Sequence, residues 1–165
     1  MLDPVKSAQK KLSYDGILTS SALSRLSEAA VLVNDQADAL IHCDFDKQGL
    51  VTLTGTVKAN VEVECQRCNS PMPLSIDIEL SYALARSEEQ AEELPSYYDA
   101  MYRDEDGETD IWQIIEDELL LSLPIVPMHD PEVCSVKTEN LSWGEIDEGE
   151  EEVSPFDVLK QLKKD

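Results

Sequence analysis

The sequence predicts an α+β domain: an antiparallel sheet flanked by short helices, with an acidic linker and a C-terminal helix beyond it. Three observations carry this expectation. Apolar and polar residues alternate with a period of two from Leu50 to Cys65 and again from Leu74 to Ser81, as in strands with one covered face. From Ile111 to Ser122 the apolar residues recur at helical spacing. Between Glu145 and Glu152, six residues in eight are acidic, a run that repels itself and has only Ile146 to bury. A chain of 165 residues, 42% of them hydrophobic, has material for one core. The expected partition is a single α+β domain over 1–144, an acidic flexible linker over 145–153 and a helix over 154–165.

Taken in order, Leu2 to Tyr14 carries an early proline and mixed Lys and Ala, which fits a turn of helix or an extended arm equally. Ser20 or Ser21 is placed to cap a short helix running to Ala29, with Leu23 and Leu26 on one face. Val31 to Phe45 loosens towards alternation, and Asp46-Lys47-Gln48-Gly49 supplies a turn. The β-branched residues from Leu50 to Val57 and from Val61 to Cys65 read as a hairpin. After the break at Asn69 to Pro73, Leu74, Ile76, Ile78 and Leu80 share one strand face. Ser87 caps a short acidic helix ending before Pro95, and Thr109 or Asp110 caps the clearest helix, which Pro124 ends. Leu120, Leu121 and Leu123 widen its stripe, so its C-terminal end is expected to be buried nearly all round. Ser154-Pro155 opens the last helix, with Phe156, Leu159 and Leu162 together and lysines near its end.

Charge excludes several function classes. The formal net charge is −22, and it is lopsided: residues 1–70 hold 7 basic and 9 acidic side chains, residues 71–165 hold 6 and 26. Such a surface repels phosphate and anionic lipid, because nucleic-acid affinity comes largely from Lys and Arg displacing counterions. Any direct RNA contact is therefore expected in the first half, from Lys6, Lys10, Lys11, Lys58 and Arg67, while the acidic half suits a basic protein partner. No signal-peptide h-region and no membrane span are present, which points to the cytoplasm. In that reducing compartment the cysteines Cys43, Cys65, Cys68 and Cys134 favour metal or redox chemistry over disulfides.

The sharpest local feature is Cys65-Gln66-Arg67-Cys68, two thiols at a strand end able to face one tetrahedral site. His129 and Cys134 complete a Cys3His set for zinc, although H-x4-C is not the usual spacing of a second half. The competing reading leaves reduced thiols at a strand end and a surface histidine. Redox catalysis by the same CxxC is a third reading, opposed by Pro71 and Pro73 where a thioredoxin-like motif needs a helix. Glu116-Asp117-Glu118 reads as a solvated helix face, His42 as a satisfied structural histidine, and Tyr97, Tyr98 and Tyr102 as core-packing residues. No Gly-rich phosphate loop, Ser-His-Asp set or HExxH motif occurs, so catalytic residues and a small-molecule substrate are not expected.

Leu2-Asp3-Pro4-Val5, Val63-Glu64-Cys65-Gln66-Arg67-Cys68, Arg86 to Glu92, Ile115-Glu116-Asp117-Glu118-Leu119 and Leu123-Pro124-Ile125-Val126-Pro127 occur here in one order. With these blocks, and onward through His129-Asp130 and Cys134 to Pro155-Phe156, the chain resembles the bacterial YceD family of large ribosomal RNA subunit accumulation proteins. The resemblance implies a non-enzymatic ribosome-biogenesis factor supporting synthesis, processing or stability of 23S ribosomal RNA. Its implied partners are that RNA or a basic large-subunit ribosomal protein. A zinc-stabilised adaptor unrelated to ribosomes and a CxxC thiol oxidoreductase are the alternative classes.

Overall fold

In the computed structural model, residues 1–137 are described; the acidic run from Glu145 and the helix expected over 154–165 lie outside them. Asp3 starts the chain's first helix, α1 (Pro4–Gln9), by accepting the Lys6 N–H at 3.0 Å, with Pro4 in the first turn where no N–H is needed. Next come β1 (Ser13–Leu18), α2 (Ser24–Ala29), β2 (Val31–Phe45), β3 (Val51–Glu64) and β4 (Pro71–Leu84). The described elements end with α3 (Glu88–Glu92), β5 (Asp99–Met101) and α4 (Ile111–Leu121).

The five strands form one sheet in the order β1-β2-β3-β4-β5. The first four pair antiparallel, as expected, but β5 runs parallel to β4, so the sheet is mixed. The reversal has a local cause: the chain between the two strands, carrying α3, returns along the sheet, as a parallel pairing requires. The segment expected to fold back between Val57 and Val61 is instead one continuous strand, β3. Lys58 and Asn60 are not turn residues here; they stand opposite Asp77 and Ser75 in the ladder with β4. The true turn is Asp46–Gly49, where Asp46 Oδ1 accepts the Gln48 and Leu50 N–H groups at 2.8 Å and Gly49 takes φ +83°. Pro71 and Pro73 are tolerated in β4 because β5 covers only Tyr82 to Leu84, leaving the earlier residues of β4 on a free edge.

Pairing registers assign the two faces. Ala37, Ala59 and Ile76 form one cross-strand row, and Ala39, Val57 and Ile78 the next, all buried. Between them run Asp38, Lys58 and Asp77 on the opposite, solvent-exposed face. Ala8 of α1, Leu26 of α2, and Ile111, Ile115 and Leu119 of α4 belong to the same apolar cluster as the inner rows. The helices thus cover one face of the sheet. Gly55 permits a close strand approach: a Cβ there would stand 2.1 Å from the Leu40 carbonyl oxygen. Leu2 and Thr109 exchange backbone hydrogen bonds of 2.9 and 2.7 Å, tying the N-terminus to the chain entering α4.

Several local expectations are corrected. Neither Ser20 nor Ser21 caps α2; Ser20 donates to Asp35 through both its backbone N–H and its hydroxyl, and the cap position, Leu23, has no side-chain acceptor. The missing cap comes from α4. Glu116, expected to be solvated, is 5% exposed, and its Oε1 accepts the Arg25 and Leu26 N–H groups at 2.7 and 3.1 Å while Oε2 binds Arg25 Nε at 2.9 Å. The C-terminal end of α4 is not buried all round, because Leu121 points away from the sheet and is 79% exposed. Tyr97 and Tyr102 are exposed as well, since short β5 sends only Met101 into the core. His42 is hydrogen-bonded as expected, to Ser13 at 2.7 Å, on the outer face.

Candidate metal centre

The loop joining β3 to β4 is closed by its own backbone. Cys65 N–H donates to Ser70 O at 3.0 Å, Asn69 N–H donates to Cys65 O at 2.8 Å, and Asn69 adopts φ +53°, a conformation Asn tolerates better than most residues. This turn aims Cys65 and Cys68 to the same side. The second half of the site follows α4. Beyond Pro124 the chain runs back to the loop, where Gln66 N–H donates to Pro127 O at 2.8 Å, and Asp130 O then accepts the Val133 and Cys134 N–H groups, both at 3.0 Å. That turn spans the four residues between His129 and Cys134, which is how the irregular H-x4-C spacing presents both side chains at one point.

The four ligand atoms of Cys65, Cys68, His129 and Cys134 all lie within 4.8 Å of one another. A tetrahedron with Zn–S bonds of about 2.3 Å has sulfur–sulfur edges of about 3.8 Å, so small side-chain adjustments would complete the cage. Cys68 Sγ is already 3.4 Å from His129 Nδ1. The other ring nitrogen, Nε2, lies 3.2 Å from Pro71 O, an acceptor that fixes it as the protonated one and leaves Nδ1 to face the thiols. A metal-bound histidine is ordinarily held in this way, its outer N–H donated to a carbonyl or carboxylate.

Electrostatics favour the ionised thiols. The Ser70 N–H, reinforced by His129 and opposed by burial, brings Cys68 down to about 5. Burial raises Cys65, but N–H groups from His129, Arg67 and Cys68 outweigh it and hold this thiol below its usual range. His129 is raised in turn, chiefly by its bond to Cys68. Cys65 and Cys134 are fully enclosed, whereas Cys43 is remote in the sheet core, where burial pushes its thiol up to about 11. Three cysteine sulfurs, one imidazole and a set of N–H···S bonds make a chemically suitable cage for a soft divalent ion such as zinc.

The structure does not gather the five cations expected to meet RNA. Lys6 pairs with Asp3 at 3.0 Å, Lys11 with Asp44 at 3.2 Å and Lys58 with Asp77 at 2.8 Å. Lys58 lies on the outer face of the sheet, while α1, bearing Lys6 and followed by Lys10 and Lys11, packs on the inner one. Arg67 is at the cysteine loop, where Nη2 meets Met128 Sδ at 3.7 Å and Nη1 is buried without a partner among the described residues. Sequence reasoning did not anticipate the Pro71 carbonyl or the Ser70 N–H as supports of the site. Backbone groups leave no signature in residue type.

A two-layer α+β domain whose sheet end and post-helix loop share a three-cysteine, one-histidine cluster defines the class of protein. The chain belongs to the YceD family: residues 53–163 match the model described as large ribosomal RNA subunit accumulation protein YceD. A curated relative bearing that description, from Haemophilus influenzae, is 38% identical over 163 residues, spanning 98% of this chain and 94% of the relative. No solved structure matches.

Proposed function

We propose that the protein is a non-enzymatic, cytoplasmic ribosome-biogenesis factor that supports synthesis, processing or stability of bacterial 23S ribosomal RNA. The observation that carries this reading is the end-to-end similarity to a relative named for large ribosomal RNA subunit accumulation. Its partners are large-subunit RNA or a basic large-subunit ribosomal protein, the latter drawn by the acidic second half of the chain. Zinc held by Cys65, Cys68, His129 and Cys134 is a structural cofactor that fastens the chain after α4 to the β3–β4 loop. The acidic stretch 145–153 serves as a linker between the domain at 1–144 and a helix at 154–165.

Deletion of the gene is expected to lower mature 23S relative to 16S RNA, most visibly in the cold or in rapid growth, and the wild-type gene should restore it. Normal ratios and subunit profiles under all those conditions would remove the reading.

A further inference from the structure

The end of the sheet opposite the cysteine loop carries a second candidate site. Ala85 N–H donates to Met101 O at 2.9 Å, extending the β4–β5 pairing and setting Arg86 beside Tyr102 and Arg103. These two arginines, distant in sequence, line two adjoining clefts. One, of about 410 Å³, also takes in Tyr102; the other, of about 300 Å³, takes in Gln9, Phe45 and Gly49. Lys6, Lys11, Arg25 and Lys58 are held by carboxylates, but neither Arg86 nor Arg103 has a carboxylate partner among the described residues. Lys10 and Lys47, both exposed, stand one and two residues from cleft-lining Gln9 and Gly49. Tyr102 and Phe45 expose 47% and 41% of their surface.

We propose that Arg86 and Arg103, with the exposed faces of Tyr102 and Phe45, bind a short stretch of single-stranded RNA. This rests on the function proposed above and names the surface that would carry it. The chemistry is specific to that ligand class: guanidinium groups grip phosphate, and an aromatic face stacks on a base whatever its identity. An acidic peptide would satisfy the arginines and leave both rings without use. The carboxylates of Asp104, Glu105 and Asp106 edge the larger cleft and oppose any polyanion. Asp104 accepts the Glu108 N–H at 2.8 Å and keeps its charge, and the repulsion of all three restricts the footprint to a few nucleotides. Base-paired RNA has no free base face for Tyr102 and is not the ligand.

The test is fluorescence anisotropy of a labelled oligouridylate about ten nucleotides long against the full chain, purified without chelator, at about 50 and about 200 mM salt. The double variant Arg86→Ala/Arg103→Ala should bind at least about tenfold more weakly at low salt and flatten the slope of log affinity against log salt by about 1.4, the contribution of two phosphate contacts. Tyr102→Ala should weaken binding by about fivefold or more without changing that slope. All three residues are exposed, so unchanged melting temperatures are expected and separate lost contacts from lost fold. Undiminished binding by the double variant, no binding by the wild type at low salt, or equal displacement of the RNA by oligoglutamate would each overturn the proposal. Failure here is distinguishable from failure of the function itself. If deletion lowers 23S RNA and the double variant restores it fully, the cleft is wrong and the function stands; if deletion changes nothing, the function is wrong whatever the anisotropy shows.

Discussion

Replacing Glu116 by alanine tests whether α4 holds α2 in place. The substitution removes the acceptor of the Arg25 and Leu26 N–H groups and of Arg25 Nε, at the start of a helix whose own cap position offers no side chain. A net hydrogen bond to a charged group contributes about 1.5–3 kcal/mol and loss of a cap costs about 0.5–2 kcal/mol, while the Arg25 ion pair is half exposed and adds little. These descriptions overlap and do not add. Arg25 also keeps Asp117 at 2.6 Å, which moderates the loss. About 3–4 kcal/mol is expected, or a fall of about 10 °C in melting temperature for a chain of this size. Glu116→Gln keeps one oxygen for the two N–H groups and should cost less than half as much. Thermal and urea unfolding followed by circular dichroism at neutral pH measure both; an alanine variant melting within about 3 °C of wild type would refute the tertiary-cap argument. Acid adds a second readout. Burial raises the Glu116 pKa, but the bonds from Leu26 and Arg25 outweigh it and hold the carboxyl below its ordinary 4.5. That depression stabilises the folded state above pH 4.5, and the stabilisation is lost as the pH falls from there through the lower folded-state pKa, so the gap between wild type and the glutamine variant should narrow on acidification.

Three further outcomes are expected. Gly55→Ala should destabilise by about 2 kcal/mol or more in urea unfolding, because the added carbon drives β2 and β3 apart at Leu40; an unchanged midpoint would contradict the close approach. Elemental analysis of protein purified without chelator should find about one zinc per chain, with chelation lowering the melting temperature and His129→Ala weakening retention; less than about a tenth of an equivalent would reject the metal centre. In metal-free protein at neutral pH, iodoacetamide should modify Cys68, at about 5, long before Cys43, pushed up to about 11 inside the core. Equal labelling rates would contradict the two environments.

The sequence exposed those parts of the fold that depend on side-chain periodicity. Leu74, Ile76, Ile78 and Leu80 announce the buried face of β4, and Ser87 and Asp110 cap α3 and α4 as expected, because alternation and capping are local physics. Parallel β5 was not legible: three residues, only one of them buried, carry no period. The role of Glu116 was equally hidden, because its partners on α2 lie about ninety residues away and are mostly backbone N–H groups. For the candidate site, Cys65 and Cys68 stood out by spacing, and His129 and Cys134 by being the remaining donors downstream. Their convergence depends on the Gln66–Pro127 and Asp130 backbone bonds, which no residue type reveals. The Arg86–Arg103 cleft was missed because summed charge hides two cations that the sheet brings side by side.

Three ties described above run to residues 109–134: the Leu2–Thr109 bridge, the Glu116 cap on α2, and the His129–Cys134 half of the cysteine cluster. The ribosome delivers them after all five strands of the sheet. At about 5–20 residues per second, the roughly 70 residues separating β3 from Cys134 take about 4–14 s to synthesise. Until α4 is made the apolar side of the sheet lacks its cover and α2 lacks its cap, and Cys65 and Cys68 stay without their partners to the end of that interval. Nascent β1 to β4 is thus an unfinished surface, and the four donors of the cysteine–histidine cluster come together only once Cys134 has been made.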